Sequence, residues 1–364
     1  MTSLPPGAYT HLPPGAYRPA NDRWGPFSRV SATLPEGSLV VVDKRVAKLH
    51  PTLLSALQAR RPHAILQIMG GERAKSFESL EQVLSAGLML PRSGTLVAIG
   101  GGTIGDVCTM AAHLLKRGVR LVQVPTTLLA AVDSSLGGKG AVDVTVNGRV
   151  VKNPVGVFHY AEETWLCPEL FESLSDTQRR EGALEAWKMV ASLDAQLFQG
   201  YTRRPPALER LVKDARRLKE TVCAQDPYEQ QGLRRVLNFG HTFGHVLESV
   251  SHFKLSHGDA VGLGMLCALD VGRAVGVTPD KVAVRVETAL EKGPGVLGRK
   301  RAAALLKRAA LEDIEVLLAA DKKSGAAGEL RMVLLTDVGV AEVRDVSAPE
   351  WRALWPAWTK GVRP

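Results

Sequence analysis

The stretch LVAIGGGTIGDVCTMAAHLL, residues 96–115, decides the fold of the first half of the chain. It passes from a short β-branched run through three glycines, Gly100 to Gly102, into an apolar run typical of a helix. In this order the backbone N–H groups at the start of the helix can meet a phosphate, and the helix dipole favours an anion there. An ordinary tight strand-to-helix turn is the alternative, because G-G-G-x-x-G-D is not the usual dinucleotide fingerprint.

Three further β-branched runs surround this stretch, namely SLVVVD at 38–43, AILQIM at 64–69 and VRLVQVP at 119–125. They are separated by segments long enough for helices, which predicts a parallel α/β domain of the Rossmann-like, dinucleotide-binding kind. Alternating apolar and polar residues around Asn147-Gly148 predict a β-hairpin.

Beyond about Leu166 the strand signals fade and helical periodicity takes over, which predicts a mainly α-helical second domain. The first residues repeat LPPGAY at 4–9 and 12–17. We therefore predict a flexible Pro/Gly-rich arm over residues 1–24, an α/β domain over 25–165 and a helical domain over 166–364.

The net charge of +9 indicates an acidic partner, either nucleic acid or a small anionic substrate. Basic clusters are short and aromatic residues make up only 5% of the chain, so a phosphorylated or carboxylated metabolite is favoured over nucleic acid. The four cysteines form no C-x-x-C pair, and no apolar run approaches a membrane span. We expect buried thiols in a cytoplasmic protein that does not enter a membrane.

LNFGHTFGHVLE, residues 237–248, places His241 and His245 four residues apart beside Gly240 and Gly244, which have the same spacing. Residues at i and i+4 share one helical face, and the glycines leave room for another group to approach. The pair indicates a metal or substrate site, with two core histidines as the alternative. A zinc-protease motif is excluded because no glutamate lies between the histidines, so further ligands must come from elsewhere.

Two other segments offer such ligands. Glu185 and Lys188 lie three residues apart in a run that is apolar nearly all round, and a buried carboxylate requires a partner such as a metal. His257 precedes a Gly-Asp helix start. The alternatives are a surface ion pair for Glu185 with Lys188 and a helix cap for His257.

The chain resembles the sugar phosphate cyclase family, and in particular its dehydroquinate synthases, from Ser38 to Val346. The motifs that carry the resemblance follow one another in order: GERAKS at 71–76, GGGTIGD at 100–106, RGVRLVQVPTTLLAAVDSSLGGK at 117–139, KNPVG at 152–156, EAWK at 185–188, GLRRVLNFGHTFGH at 232–245, HGDAVGLGM at 257–265 and DKK at 321–323.

The resemblance implies a set of functional positions. The metal ligands for zinc or cobalt would be Glu185, His241 and His257, with His245 facing the substrate instead. NAD would be bound by Asp43, Glu72, Lys75, Gly101, Gly102, Thr103, Asp106, Thr126, Thr127 and Lys152. The catalytic positions would be Lys139, Lys188, Glu229, Arg234, Asn238 and His245, and the other substrate contacts Arg117, Asp133, Asn153, Lys219 and Lys322. Arg117 would reach a neighbouring subunit's site, which implies a homodimer.

The activity implied by the resemblance is cyclisation of 3-deoxy-arabino-heptulosonate 7-phosphate to 3-dehydroquinate with release of phosphate, a step of aromatic amino acid biosynthesis. Several positions depart from the dehydroquinate synthase pattern: Asp259 and Gln178 stand where the family has glutamates, and the hairpin before Lys152 is longer. Two alternatives therefore stay open. One is a sister cyclase that makes an amino-dehydroquinate, a 2-deoxy-scyllo-inosose or a valiolone, and the other is a metal-dependent alcohol or glycerol dehydrogenase.

Overall fold

The structure is a computed structural model that describes residues 19–146, 149–307, 309–320 and 329–364. The LPPGAY repeat, the Asn147-Gly148 turn and Lys322 lie outside these residues. The chain divides at Arg179–Arg180 into two compact units, whereas the sequence analysis places the domain boundary after residue 165. Residues 21–24, assigned from sequence to the arm, form the first strand of the first unit.

The strands of the first unit are β1 (Asn21–Trp24), β2 (Leu39–Asp43), β3 (Ala64–Ile68), β4 (Thr95–Gly100), β5 (Arg120–Pro125), β6 (Lys139–Val146), β7 (Arg149–Phe158) and β8 (Glu163–Leu166). The helices there are α1 (Phe27–Thr33), α2 (Lys44–Leu49), α3 (Pro51–Gln58), α4 (Phe77–Ala86), α5 (Gly102–Leu114) and α6 (Pro168–Glu172), and α7 (Asp176–Leu193) contains the division.

Six strands of the described residues form a parallel sheet in the order β1-β8-β5-β4-β2-β3. The four β-branched runs seen in the sequence are β2, β3, β4 and β5, so the predicted parallel α/β fold is confirmed. Strand β3 lies on one side of β2, and β4 with β5 lies on the other. The strand order therefore reverses between β2 and β4, and in such sheets ligands bind outside the carboxyl ends of strands at this reversal.

Both faces of the sheet are buried, which explains why the central strands are apolar without alternation. Successive residues of β2 and β4 contribute to two separate clusters: Leu39, Val41, Leu96 and Ala98 pack on one face, and Val40, Val42, Val97 and Ile99 on the other. Adjacent side chains in a strand point to opposite faces, so a strand covered on both faces has few positions for polar residues.

Strands β6 and β7 pair antiparallel, which confirms the predicted hairpin on the residues that flank its turn. Val150 and Val151 of β7 are exposed.

The second unit is mainly helical. It contains the rest of α7 and α8 (Ala195–Arg203), α9 (Leu208–Gln225), α10 (His241–Val250), α11 (His257–Ala274), α12 (Asp280–Lys292), α13 (Arg299–Leu306), α14 (Leu311–Ala320), α15 (Ala348–Arg352) and α16 (Trp355–Lys360). The sequence analysis missed an antiparallel hairpin, β9 (Glu329–Asp337) and β10 (Val340–Ser347). Its strands are longer than those of the first unit's sheet, but one of them is mostly exposed and carries a weak apolar pattern.

Candidate functional site

The glycine turn lies at the carboxyl end of β4, beside the reversal in strand order. Helix α5 begins at Gly102, and the N-cap is Gly101, which has no side chain to cap the first turn. A Cβ atom on Gly102 would lie 2.9 Å from Ser134 Oγ. The N–H groups of this first turn and the helix dipole suit the pyrophosphate of a dinucleotide.

A carboxylate occupies the neighbouring position at the end of β2. Asp43 Oδ1 accepts hydrogen bonds from the backbone N–H groups of Arg45 at 2.8 Å and Gly70 at 3.3 Å. A Cβ atom on residue 70 would lie 2.0 Å from Asp43 Oδ2, so glycine is required there. A carboxylate beside the glycine turn is the group that binds a ribose hydroxyl in dinucleotide-binding folds.

Four more residues of the predicted NAD set form two ion pairs. Lys75 Nζ lies 2.7 Å from Asp106 Oδ2 with both side chains largely buried, and Lys152 Nζ lies 3.2 Å from Glu72 Oε1. Burial raises the pKa of Asp106 to about 6, although Lys75 opposes the rise; Glu72 and Asp133 raise it further. Asp106 is therefore ionised at neutral pH and protonated in mild acid.

The three predicted threonines hold backbone segments at the same edge of the sheet. Thr103 Oγ1 accepts from the N–H of Gly71 at 3.3 Å, and Thr127 Oγ1 accepts from the N–H of Ala130 at 3.1 Å. The N–H of Thr126 donates to the carbonyl of Gly100 at 2.9 Å.

The predicted substrate residues of the first unit have unusual backbone conformations or exposed side chains. Asn153 has φ +53°, and its N–H donates to Asp143 Oδ1 at 2.8 Å. Arg117 is exposed with φ +64°, and Lys139 is exposed at the start of β6. Asp133 lies in a π-helical turn, Ala130–Ser134.

In the second unit three histidine rings form a compact triangle. The ring centroids are 5.5 Å apart for His241 with His245, 5.5 Å for His241 with His257 and 6.2 Å for His245 with His257. His241 is the first residue of α10 and His257 the first of α11, so both rings lie at helix starts. The two distant histidine motifs of the sequence therefore meet.

The glycines beside the histidines bring α10 and α11 together. A Cβ atom on Gly264 of α11 would lie 2.0 Å from the carbonyl oxygen of Gly240 and 2.6 Å from the nitrogen of Gly244. Gly240 has φ +81°, and a Cβ atom there would lie 2.7 Å from the carbonyl oxygen of Val261. The group that the sequence expected to approach these glycines is the backbone of α11.

Glu185 and Lys188 are buried on α7 and form an ion pair with each other, so the predicted surface ion pair is wrong. Lys188 bonds Glu185 Oε1, while Oε2 of Glu185 is buried without a hydrogen-bond partner. An unsatisfied buried carboxylate oxygen costs about 1–3 kcal/mol, which a bound cation would offset.

Two of the histidines are oriented through Nδ1. The carbonyl oxygen of Phe239 lies 3.4 Å from His241 Nδ1, and Glu248 Oε2 lies 3.5 Å from His257 Nδ1. Burial lowers the pKa of His257, but the hydrogen bond and charge of Glu248 and the charge of Glu185 outweigh burial and raise it. When Nδ1 carries the proton, Nε2 is the nitrogen available to a metal.

The donor set of Glu185, His241 and His257 suits zinc or cobalt, since two imidazoles and a carboxylate with an open position form a catalytic site. Among the residues that the structure describes, however, no three His, Cys, Asp or Glu side chains are already arranged as a metal cage. Lys188 bonds one oxygen of Glu185, and the histidine rings stand 5.5 Å apart. The residue types and the unsatisfied Oε2 fit a divalent metal, and its ligands would have to draw closer.

The remaining predicted residues of the second unit include two buried cations. Lys219 on α9 and Arg234 in the 3-10 helix Leu233–Asn238 are both buried, and Arg234 Nη1 donates to the carbonyl of Pro227 at 3.0 Å. Glu229 has φ +55° in the loop before that helix, and Asn238 ends it.

Sequence reasoning missed three residues around the histidines. Glu248 lies seven residues after His241, a spacing that shares a helical face and could have revealed it. Arg180 and Asp259 form a bidentate ion pair between α7 and α11. No local pattern indicates that pair, because its partners come from distant segments.

The comparisons with known proteins agree with this site. The family profile described as 3-dehydroquinate synthase N-terminal matches residues 65–181, and that described as 3-dehydroquinate synthase C-terminal matches residues 182–324. A 3-dehydroquinate synthase of Methylacidiphilum infernorum is 35% identical over 83% of this chain and 82% of its own length. A 2-epi-valiolone synthase of Actinosynnema mirum is 36% identical over 87% of this chain and 84% of its own.

A solved structure of 2-deoxy-scyllo-inosose synthase, in complex with carbaglucose-6-phosphate, NAD+ and Co2+, has the same fold. It superposes with a TM-score of 0.80 at 24% identity and covers 95% of this chain and 98% of its own. No helix in the described part of the chain has the length and apolarity needed to cross a membrane. On the two family matches and the extent of the sequence identity, the chain belongs to the 3-dehydroquinate synthase family.

Proposed function

We propose that the protein is a 3-dehydroquinate synthase, a phosphate-eliminating carbon–oxygen lyase. It would convert 3-deoxy-arabino-heptulosonate 7-phosphate to 3-dehydroquinate with NAD and a divalent metal, the domain over 25–165 holding NAD and that over 166–364 the metal. The observation that supports this most directly is the convergence of His241 and His257 from separate helices, with a buried carboxylate oxygen of Glu185 unsatisfied. Four free, buried cysteines fit a reducing cytoplasm.

NAD would be held at the glycine turn, and the metal by Glu185, His241 and His257. When bound, NAD would accept a hydride from C5 of the substrate and later return it, and the metal would favour the C5 alkoxide. Lys188 keeps Glu185 charged by pairing with Oε1. Its buried ammonium also adds positive charge where the alkoxide develops.

Phosphate departure requires positive charge and hydrogen-bond donors around the leaving group. Lys139, Asn153, His245 and Lys322 are the residues that we assign to it. Phosphate's own oxygens would take the proton from the carbon next to the new ketone as the carbon–oxygen bond breaks. The left-handed backbone of Asn153, pinned through Asp143, fixes the direction of its side chain.

The substrate carboxylate would be bound by Lys219 and Arg234. Both are buried, and a buried cation requires an anionic or hydrogen-bonding partner. A carboxylate held by a guanidinium and an ammonium is a strong, directional contact. We assign Glu229 and Asn238 to the hydroxyl groups of the same substrate.

A homodimer is part of this proposal. Arg117 lies exposed at a turn where Lys116 and Arg117 have positive φ and Gly118 follows with φ +119°. This backbone holds the guanidinium away from its own unit's core. It therefore suits a contact with a neighbouring subunit's substrate.

A valiolone-type cyclase is the second candidate, because a 2-epi-valiolone synthase is as similar to this chain as the dehydroquinate synthases are. Lys219→Ala separates the two candidates. If the substrate carries a carboxylate, the variant should bind it about 10–100-fold more weakly, since a charge-assisted bond contributes about 1.5–3 kcal/mol. An analogue without that carboxylate should bind almost as before, and equal losses for both ligands would favour the other cyclase.

The decisive experiment measures phosphate release from the heptulosonate phosphate together with product identification by mass spectrometry. Turnover should release phosphate and form dehydroquinate without free NADH, whereas a dehydrogenase would release NADH that absorbs light during turnover. Glu185→Gln, His241→Ala and His257→Ala should each abolish turnover and lower bound metal. Full metal occupancy in all three variants would show that the assigned ligands are wrong.

A further inference from the structure

A bidentate ion pair joins α7, which carries Glu185, to the start of α11, which carries His257. Arg180 Nε lies 2.7 Å from Asp259 Oδ1, and Arg180 Nη2 lies 2.9 Å from Asp259 Oδ2. The Asp259 side chain is only 5% exposed. Two parallel bonds of this kind fix both the distance and the orientation between the partners.

The same two helices touch through their backbones next to this pair. A Cβ atom on Gly258 would lie 2.4 Å from the Cα atom of Glu181 and 2.9 Å from its carbonyl oxygen. Ser256, the N-cap of α11, also hydrogen-bonds the Glu181 carboxylate. Only glycine at position 258 lets the start of α11 lie this close to α7.

These contacts have a direct consequence for the metal ligands. Glu185 lies about one helical turn after Glu181 on the same face of α7. His257 immediately precedes Gly258 and lies two residues before Asp259. A shift of α11 along α7 would therefore move His257 relative to Glu185 by the same amount.

We propose that Arg180 and Asp259 are positioning residues that hold His257 in register with Glu185 for a divalent metal. This inference rests on the proposed function. It also gives a role to Asp259, which departs from the glutamate of the family pattern. The aspartate with Arg180 sets the separation of the two helices in this chain.

The test compares Arg180→Lys and Asp259→Asn with a matched control, Arg299→Lys. Arg299 forms the same kind of pair with Asp270, which lies about three turns further along α11 and is equally buried. Lysine keeps the charge at either position but cannot make two parallel bonds. All three variants should lower the melting temperature, because each loses a buried bidentate contact.

Co2+ affinity, measured by titrating the metal-free full-length protein and following visible absorption, separates a positioning role from a merely structural one. Arg180→Lys and Asp259→Asn should bind Co2+ at least about 10-fold more weakly than the unmodified protein, with an altered spectrum, and Arg299→Lys should bind it unchanged. Equal Co2+ affinity in all three variants would overturn the inference and leave the proposed function intact. Failure of the unmodified protein to bind Co2+, or binding that survives Glu185→Gln, would overturn the proposed function itself.

Discussion

Gly264→Ala is the sharpest test of how the histidine triangle is built. The new methyl group would lie 2.0 Å from the carbonyl oxygen of Gly240, 2.6 Å from the nitrogen of Gly244 and 3.0 Å from its Cα atom. All three atoms belong to the backbone of α10 and its N-cap, so no side-chain rotation relieves the overlap. Helices α10 and α11 must separate.

The magnitude follows from the packing. Inserting a methyl group into a well-packed contact typically costs about 1–3 kcal/mol, and a clash with rigid backbone belongs at the upper end. A loss of about 3 kcal/mol corresponds to a fall in melting temperature of about 6–12 °C for a unit of this size. Separation would also move His241 away from His257, so Co2+ affinity should fall as well.

The assay is thermal unfolding with a Co2+ titration, and Gly200→Ala is the matched control. Gly200 lies inside the exposed part of α8, and a Cβ atom there would meet nothing within 4 Å. Alanine raises helix propensity equally in both variants, by about 1 kcal/mol, so the control should become slightly more stable. A Gly264→Ala variant that is as stable as the control and binds Co2+ normally would refute the packing argument.

Three further predictions concern charged groups. Burial raises the pKa of Glu287, but its arginine partners hold it below 4.5; Arg363→Gln should therefore lower the melting temperature at pH 7, and the difference should shrink as the pH falls through the folded pKa, a trend that melting curves at pH 7 and pH 4 would contradict if the difference stayed constant. Lys75→Met should raise the pKa of Asp106 above about 6, measured by carbon NMR of the carboxyl group, and weaken NAD binding; an unchanged value would exclude the ion pair. His245→Ala should keep its metal by elemental analysis but slow phosphate release in a single turnover, and metal loss would place His245 among the ligands.

The sequence by itself determined the parallel sheet. Strands β2 to β5 are short apolar runs between helical segments, and local patterning suffices because both faces of such a strand are buried. The hairpin β9–β10 was not predictable in the same way, since its stability depends on packing that a half-exposed strand pattern does not reveal.

The residue types of the candidate site were also readable from the sequence, because Glu185, His241 and His257 are costly in apolar helices unless they bind something. Their convergence was not. The approach of α10 to α11 through Gly264 and the pairing of Arg180 with Asp259 are contacts between segments far apart in the chain. Only the tertiary structure decides such contacts, because they depend on which helix faces pack together and not on the local spacing that a sequence displays.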